Sequence, residues 1–190
     1  MASIQNAFIY ECNNTCWSKA LSLAKERIKS EYKRDKRLGK EERIKKIAIG
    51  YIGEFAFKKW CELNTINCKY LGEEIGNEPD NGDFLCNDRL IIDVKTQEVF
   101  YLPKNNWRCE VTSDQILRPM DIYVFAKMFT KNNNRTLYLY GWMSHKKFKE
   151  KSIFRPKGTI LKGKKVHYPK YDVTINELNS LKELKKHLKK

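Results

Sequence analysis

No stretch of this sequence stays apolar for the roughly 18 residues that a membrane-crossing helix requires, so a helical membrane protein is excluded. The opening "MASIQNAFIYECNN" lacks the basic segment followed by an apolar run that marks export, which predicts a cytoplasmic chain. Histidine is scarce: His145, His167 and His187 stand far apart, which argues against a histidine-held metal centre. No G-x-x-x-x-G-K-[ST] loop is present, so ATP hydrolysis is not indicated. Internal repeats and low-complexity linkers are absent too. Cysteine is present six times, at 12, 16, 61, 68, 86 and 109. Without an export signal, reduced thiols are expected rather than a disulfide framework. Cys12-x3-Cys16 has no second close pair to complete a zinc site.

What the chain has in excess is positive charge. Lys and Arg number 38 against 23 Asp and Glu, a net charge of +15, which favours a polyanionic partner such as nucleic acid. With 41% hydrophobic and 32% charged residues, 190 residues suffice for one domain with a real core.

Helical spacing of Trp17, Leu21, Ala24 and Ile28 predicts a helix over residues 15–38, with Thr15 as N-cap and Gly39 as stop. A second helix is expected over 41–62. There Ile44, Ile47, Ala48, Tyr51, Ile52 and Phe55 share a face, and Glu41 and Glu42 occupy the first turn. Residues 69–71 read as a short strand, and "EVFYLP" as a continuation of the hairpin that follows. "TSDQILRP" reads as a short capped helix. "DIYVFAKMF" and "RTLYLYGWM" are two strands joined by the turn-rich "TKNNN". Residues 145–170 look basic and irregular. Ile175, Leu178, Leu181, Leu184 and Leu188 mark a final amphipathic helix. This order predicts an α/β fold in one domain over 1–190: a helical extension at 1–43, a core at 44–145, and a basic loop and helix at 146–190.

The stretch with chemistry in it is "NGDFLCNDRLIIDVKTQ", residues 81–97. Side chains alternate along a strand, so Asp93 and Lys95 share one face and Ile92 and Val94 the other. A three-residue loop of Asn87, Asp88 and Arg89 sets Asp83 opposite Asp93 and gathers Phe84, Leu90, Ile92 and Val94 on the apolar face. A two-residue turn would split the carboxylates between faces. Two facing carboxylates repel; a hard divalent cation between them reverses that term and suits Mg²⁺ or Mn²⁺. Lys95 could hold a water nucleophile or balance charge on phosphorus, the equipment of phosphodiester hydrolysis. A solvated polar face on a half-exposed hairpin would look similar.

"GYIGEFAFKKW", "PDNGDF" and "IIDVKT", in this order and spacing, resemble the PD-(D/E)xK nuclease superfamily, which includes restriction endonucleases, junction resolvases and many phage-encoded nucleases. The likeness covers residues 44–97 and continues more loosely through "DIYVFAKMF" and "LYLYGWM". It implies a restriction-endonuclease-like core, a central mixed sheet flanked by helices, and a Mg²⁺-dependent deoxyribonuclease acting on DNA in preference to RNA, in a bacterial or phage-infected cell. Glu54 would be the helix acid, Asp83 the central metal ligand, Asp93 the second carboxylate with the Val94 carbonyl as a backbone ligand, and Lys95 the motif lysine. Asp80 competes with Asp83 for the central role. Thr96 and Gln97 would line the site.

Glu54 lies at the edge of its helix's apolar stripe, and Gly50 and Gly53 beside it suggest close approach of helix and sheet. Lys146, Lys147, Lys162, Lys164 and Lys165 are the best candidates for phosphate contacts. Trp107 could stack on bases, whereas Tyr138, Tyr140 and Trp142 read as core. A homodimer is open to such a chain, although no heptad seam is visible. The competing expectation is a nucleic-acid-binding protein of the same fold without catalysis.

Overall fold

The computed structural model describes residues 2–29, 38–72, 82–132, 134–161 and 163–189. Its centre is a mixed, curled sheet. β1 (Phe8–Glu11), β2 (Cys68–Tyr70), β3 (Phe84–Cys86), β4 (Leu90–Val99), β6 (Ile122–Lys131) and β7 (Asn134–Ser144) lie in the order β1-β7-β6-β4-β3-β2. β12 (Asn179–Ser180) pairs with the free stretch of β7. Only the β4–β6 pair is parallel; the crossover between them passes through β5 (Arg108–Thr112). β5 joins β8 (Ile153–Arg155) and β11 (Lys170–Thr174) in a three-stranded antiparallel sheet ordered β5-β11-β8. β9 (Ile160–Leu161) and β10 (Lys164–Lys165) form a small hairpin.

Four α-helices occur among the described residues: α1 (Asn14–Lys29), α2 (Lys40–Leu63), α3 (His145–Lys151) and α4 (Leu181–Leu188). α2 lies against the central sheet. Its Ala48, Ile52, Ala56 and Phe57 share one core with Ile92, Val94, Val124, Ala126 and Leu139, and with Leu181, Leu184 and Leu188 of α4. A second core fills the opposite face, where Tyr123, Phe125, Tyr140 and Phe148 meet Cys109, Val111 and Val173 of the smaller sheet. The strand alternation expected for β4 is therefore used on both sides of the sheet.

Several local expectations change. Asn13, not Thr15, caps α1: its Oδ1 accepts the Cys16 N–H at 2.9 Å. The continuation of α1 past residue 29 lies outside the described residues. Residues 113–117 are a run of turns rather than a helix. The segment from 145 is not irregular throughout. Ser144 accepts the Lys147 N–H at 3.3 Å and starts α3, which Phe148 anchors in the second core. The final helix is shorter than its leucine pattern. A capping box of Ser180 and Glu183 starts it, so Ile175 and Leu178 fall outside it and pack in the other core. "EVFYLP" divides: Glu98 and Val99 end β4, while Phe100, Tyr101 and Leu102 are exposed.

The two helix glycines separate as well. A Cβ on Gly53 would lie 1.8 Å from Thr96 Oγ1 and 3.0 Å from Thr96 Cβ, so Gly53 is what lets α2 seat on β4. A Cβ on Gly50 would meet nothing within 4 Å, so close packing does not explain that residue; it lines the cleft described below. Gly53→Ala is expected to cost about 1–3 kcal/mol from overpacking. Gly50→Ala should stabilise by up to about 1 kcal/mol through helix propensity. Urea denaturation of the two variants checks both signs.

Candidate metal and nucleic-acid site

The hairpin register follows the alternation argument. Cys86 faces Leu90, Leu85 faces Ile91 and Phe84 faces Ile92, leaving Asn87, Asp88 and Arg89 as the loop. Asn87 and Asp88 take φ of 52° and 54°, a region these two residue types tolerate better than most. The paired register ends at Phe84 and Ile92; Asp83 follows as an irregular residue whose N–H turns to the Ile92 carbonyl while its C=O accepts the Leu71 N–H on the other edge. Phe84, Ile92 and Val94 are buried in the α2-side core, with Leu90 packed against it.

Asp83 sits where the β3 ladder ends. Its N–H donates to the Ile92 carbonyl at 2.9 Å, and its carboxylate Oδ2 accepts the Val94 N–H at 2.6 Å in place of a further strand partner. Asp93 is 6% exposed, and Lys95 Nζ lies 2.5 Å from its Oδ2. Glu54, also 6% exposed, accepts a hydrogen bond from the Tyr70 hydroxyl. Burial, then the charges of Glu54 and Asp93, hold the Asp83 carboxyl well above the usual carboxylate range, against the pull of Lys95 and the Val94 N–H. Burial first, then Glu54, raises the Tyr70 hydroxyl.

Glu54, Asp83, Asp93, Lys95 and Gln97 all line one cleft of about 430 Å³. The same walls carry Arg27, Arg43, Lys46, Arg118 and Lys127, so the acids lie within a cationic surround. A second cleft of about 870 Å³ shares Lys46, Gln97, Glu110 and Lys127 with the first. It runs past Trp107 and Arg108 to Lys164, Lys165 and Lys170.

The resemblance's acids therefore share one cleft, as do Lys95, Val94, Thr96 and Gln97. Lys164 and Lys165 line its extension. Lys146 and Lys147 do not line either cleft; they are exposed on α3. Lys162 and Asp80 lie outside the described residues. Tyr140 and Trp142 are core, Tyr138 packs against it, and Trp107 lines the basic extension.

Pattern reading missed two residues, Lys127 on the cleft wall and Tyr70, which reaches Glu54 from a neighbouring cleft. Lys127 is 3% exposed, donates to Gln97 Oε1 and to the Arg108 carbonyl, and is lowered from the ordinary lysine range by its burial. Its signal was visible, a lysine within the apolar "DIYVFAKMF". Tyr70 gave no such signal.

Three carboxylates lining one cleft are the oxygen ligands a hard dication takes, and the raised Asp83 shows that burial and its acidic neighbours disfavour its charge unless a cation offsets it. The acids are also held by protein donors, namely Lys95, the Val94 N–H and the Tyr70 hydroxyl. Among the described residues, the one set of three or more ligand-type atoms mutually within 4.8 Å is made of cysteine sulfurs, not these oxygens. Reduced thiols throughout were not what emerged: Cys68 and Cys86 are bonded to each other, and Cys12, Cys16, Cys61 and Cys109 are free.

Compared with protein-family models, with curated proteins and with solved structures, the chain matches none. No helix among the described residues is long and apolar enough to cross a membrane.

Proposed function

We propose that this chain is a metal-dependent nuclease of the PD-(D/E)xK type, with a restriction-endonuclease-like core, that hydrolyses phosphodiester bonds in DNA. The observation that carries the reading is that Glu54, Asp83, Asp93 and Lys95 line one cleft, with Lys95 paired to Asp93. Asp83, Asp93 and the Val94 carbonyl would hold Mg²⁺, with Glu54 at the edge of the group. When bound, Mg²⁺ supplies Lewis acidity toward a phosphoryl oxygen and lowers the pKa of water.

The chain's own groups do the rest. Asp93 holds Lys95 by their ion pair at the cleft wall, where the ammonium orients the attacking water and offsets charge growing on phosphorus. Gln97 and Lys127 reach the same wall through their mutual hydrogen bond. Lys164 and Lys165 take the backbone phosphates further out.

The direct test is incubation of the full chain with linear, branched and single-stranded DNA, with Mg²⁺, with Mn²⁺ and with EDTA. Metal-dependent cleavage supports the reading; binding without cleavage under every metal would end it. That second outcome fits a non-catalytic DNA-binding protein, for which one observation speaks. The Lys95–Asp93 ion pair and the Tyr70–Glu54 bond already satisfy two of the acids without a metal.

The basic extension makes a separate prediction. Replacing Lys164 and Lys165 with alanine should reduce the slope of log affinity against log salt by about 2. Alanine at Lys146 and Lys147 should leave the slope unchanged. Fluorescence anisotropy with labelled duplex DNA over a salt series measures both.

A further inference from the structure

Cys61 lies near the end of α2, Cys68 opens β2 and Cys86 closes β3. Cys68 and Cys86 face each other in the ladder with Cα atoms 4.1 Å apart. The flanking bonds, Leu71 N–H to the Asp83 carbonyl and Asn87 N–H to the Asn67 carbonyl, make Cys68–Cys86 a pair without ladder bonds of its own. Such pairs bring their side chains closest. A third sulfur completes the group: Cys61 Sγ is 3.4 Å from Cys68 Sγ. All three sulfurs lie within 4.8 Å of one another, and no other set of three ligand-type atoms among the described residues does so.

A disulfide uses two sulfurs and gives the third no role. A cation would use all three. Thiolates around a tetrahedral zinc, at about 2.3 Å from the metal, are spaced about 3.8 Å apart, which the observed separations bracket. Three soft sulfurs with no carboxylate among them also select zinc over the hard cations suited to Asp83 and Asp93.

We propose that Cys61, Cys68 and Cys86 bind one zinc ion as thiolates when the Cys68–Cys86 bond is reduced. Reduction takes two electrons and two protons from two molecules of a small thiol, which leave joined as their own disulfide. Zinc then binds the three sulfurs and releases their protons to solvent. Cys61 and Cys86 are 2% and 0% exposed, whereas Cys68 is partly exposed, so a fourth ligand from solvent enters on the Cys68 side. The disulfide joins only β2 to β3. Zinc ties both strands to α2 as well, and so steadies the edge that carries Tyr70, the partner of Glu54, and Asp83.

The test uses the full chain, reduced with a non-chelating phosphine and titrated with Co²⁺ and then Zn²⁺. The expected result is one Co²⁺ per chain with a thiolate-to-cobalt charge-transfer band, displaced by one equivalent of Zn²⁺. Cys61→Ser should weaken zinc by more than about 100-fold in chelator competition, since loss of a mere outer-shell partner already costs about 10–100-fold. Cys109→Ser, in the core on the other face of the sheet, should leave affinity unchanged. Absence of the band in the wild-type chain overturns the proposal whether or not any variant folds. So does a band that Cys12→Ser removes and Cys61→Ser retains. None of these readouts depends on DNA cleavage, so this proposal and the nuclease reading stand or fall separately.

Discussion

Asp93→Asn is expected to lower Mg²⁺-dependent DNA cleavage by at least about 10²–10³-fold, the range found when one preorganised stabiliser of transition-state charge is removed. The substitution keeps the shape of a side chain that is 6% exposed, so the loss is one of charge and not of packing. Two effects combine. On the proposed reading, one of the cleft's carboxylates would no longer help hold the metal, and Lys95 loses the partner 2.5 Å away that aims it. Stability in EDTA should change little, because removing one of two like charges near Asp83 offsets the loss of the ion pair. The rise in Tm on adding Mg²⁺, which any ligand specific to the folded state produces, should shrink or vanish. DNA binding in EDTA should persist, since Lys164 and Lys165 are untouched. A variant that still cuts at the wild-type rate would show that Asp93 serves only its ion pair with Lys95.

The second large effect concerns stability. Asp172, on the middle strand of the smaller sheet, is 1% exposed. Its Oδ1 accepts from Arg108 on β5, and its Oδ2 accepts from Arg155 Nε on β8 at 3.1 Å. One buried carboxylate thus joins all three strands. Asp172→Ala leaves two guanidinium groups facing each other without their shared anion. Removing one partner of a buried ionic group costs about 3–5 kcal/mol. Arg108 keeps 36% of its side chain exposed and Arg155 18%, so solvent relieves part of this and the lower end, about 3 kcal/mol, is expected. For a chain of this size that lowers Tm by about 6–12 °C. Thermal unfolding followed by circular dichroism measures it. DNA binding should weaken as well, because β5 carries Arg108 into the basic extension. An Asp172→Ala protein with unchanged Tm would mean that the arginines find solvent at no cost.

The hairpin shows how far local pattern reaches. Apolar residues at Phe84, Leu90, Ile92 and Val94 fit one face only when three residues form the loop, so that loop and the Phe84–Ile92 register were legible before any coordinates. Glu54 was legible by its place on the α2 stripe and Gly53 by its cost to the helix, but Gly50 was misread because the two glycines look alike in a helical repeat. α3 was hidden because only Phe148 in "HKKFKEK" is apolar, and the turns at 113–117 passed for a helix because capping residues serve turns as well.

Alternation and helical period determined α2, the paired strands 122–131 and 134–144, and the three-residue hairpin loop, because those features depend on neighbours a few positions apart. Only the tertiary structure decided what crosses the chain. It set Tyr70 on Glu54, Lys127 on Gln97, Asp172 between two arginines, and Cys61 against the Cys68–Cys86 pair. Each of these joins elements whose separation is fixed by how sheets and helices pack on two cores, and no local periodicity carries that information.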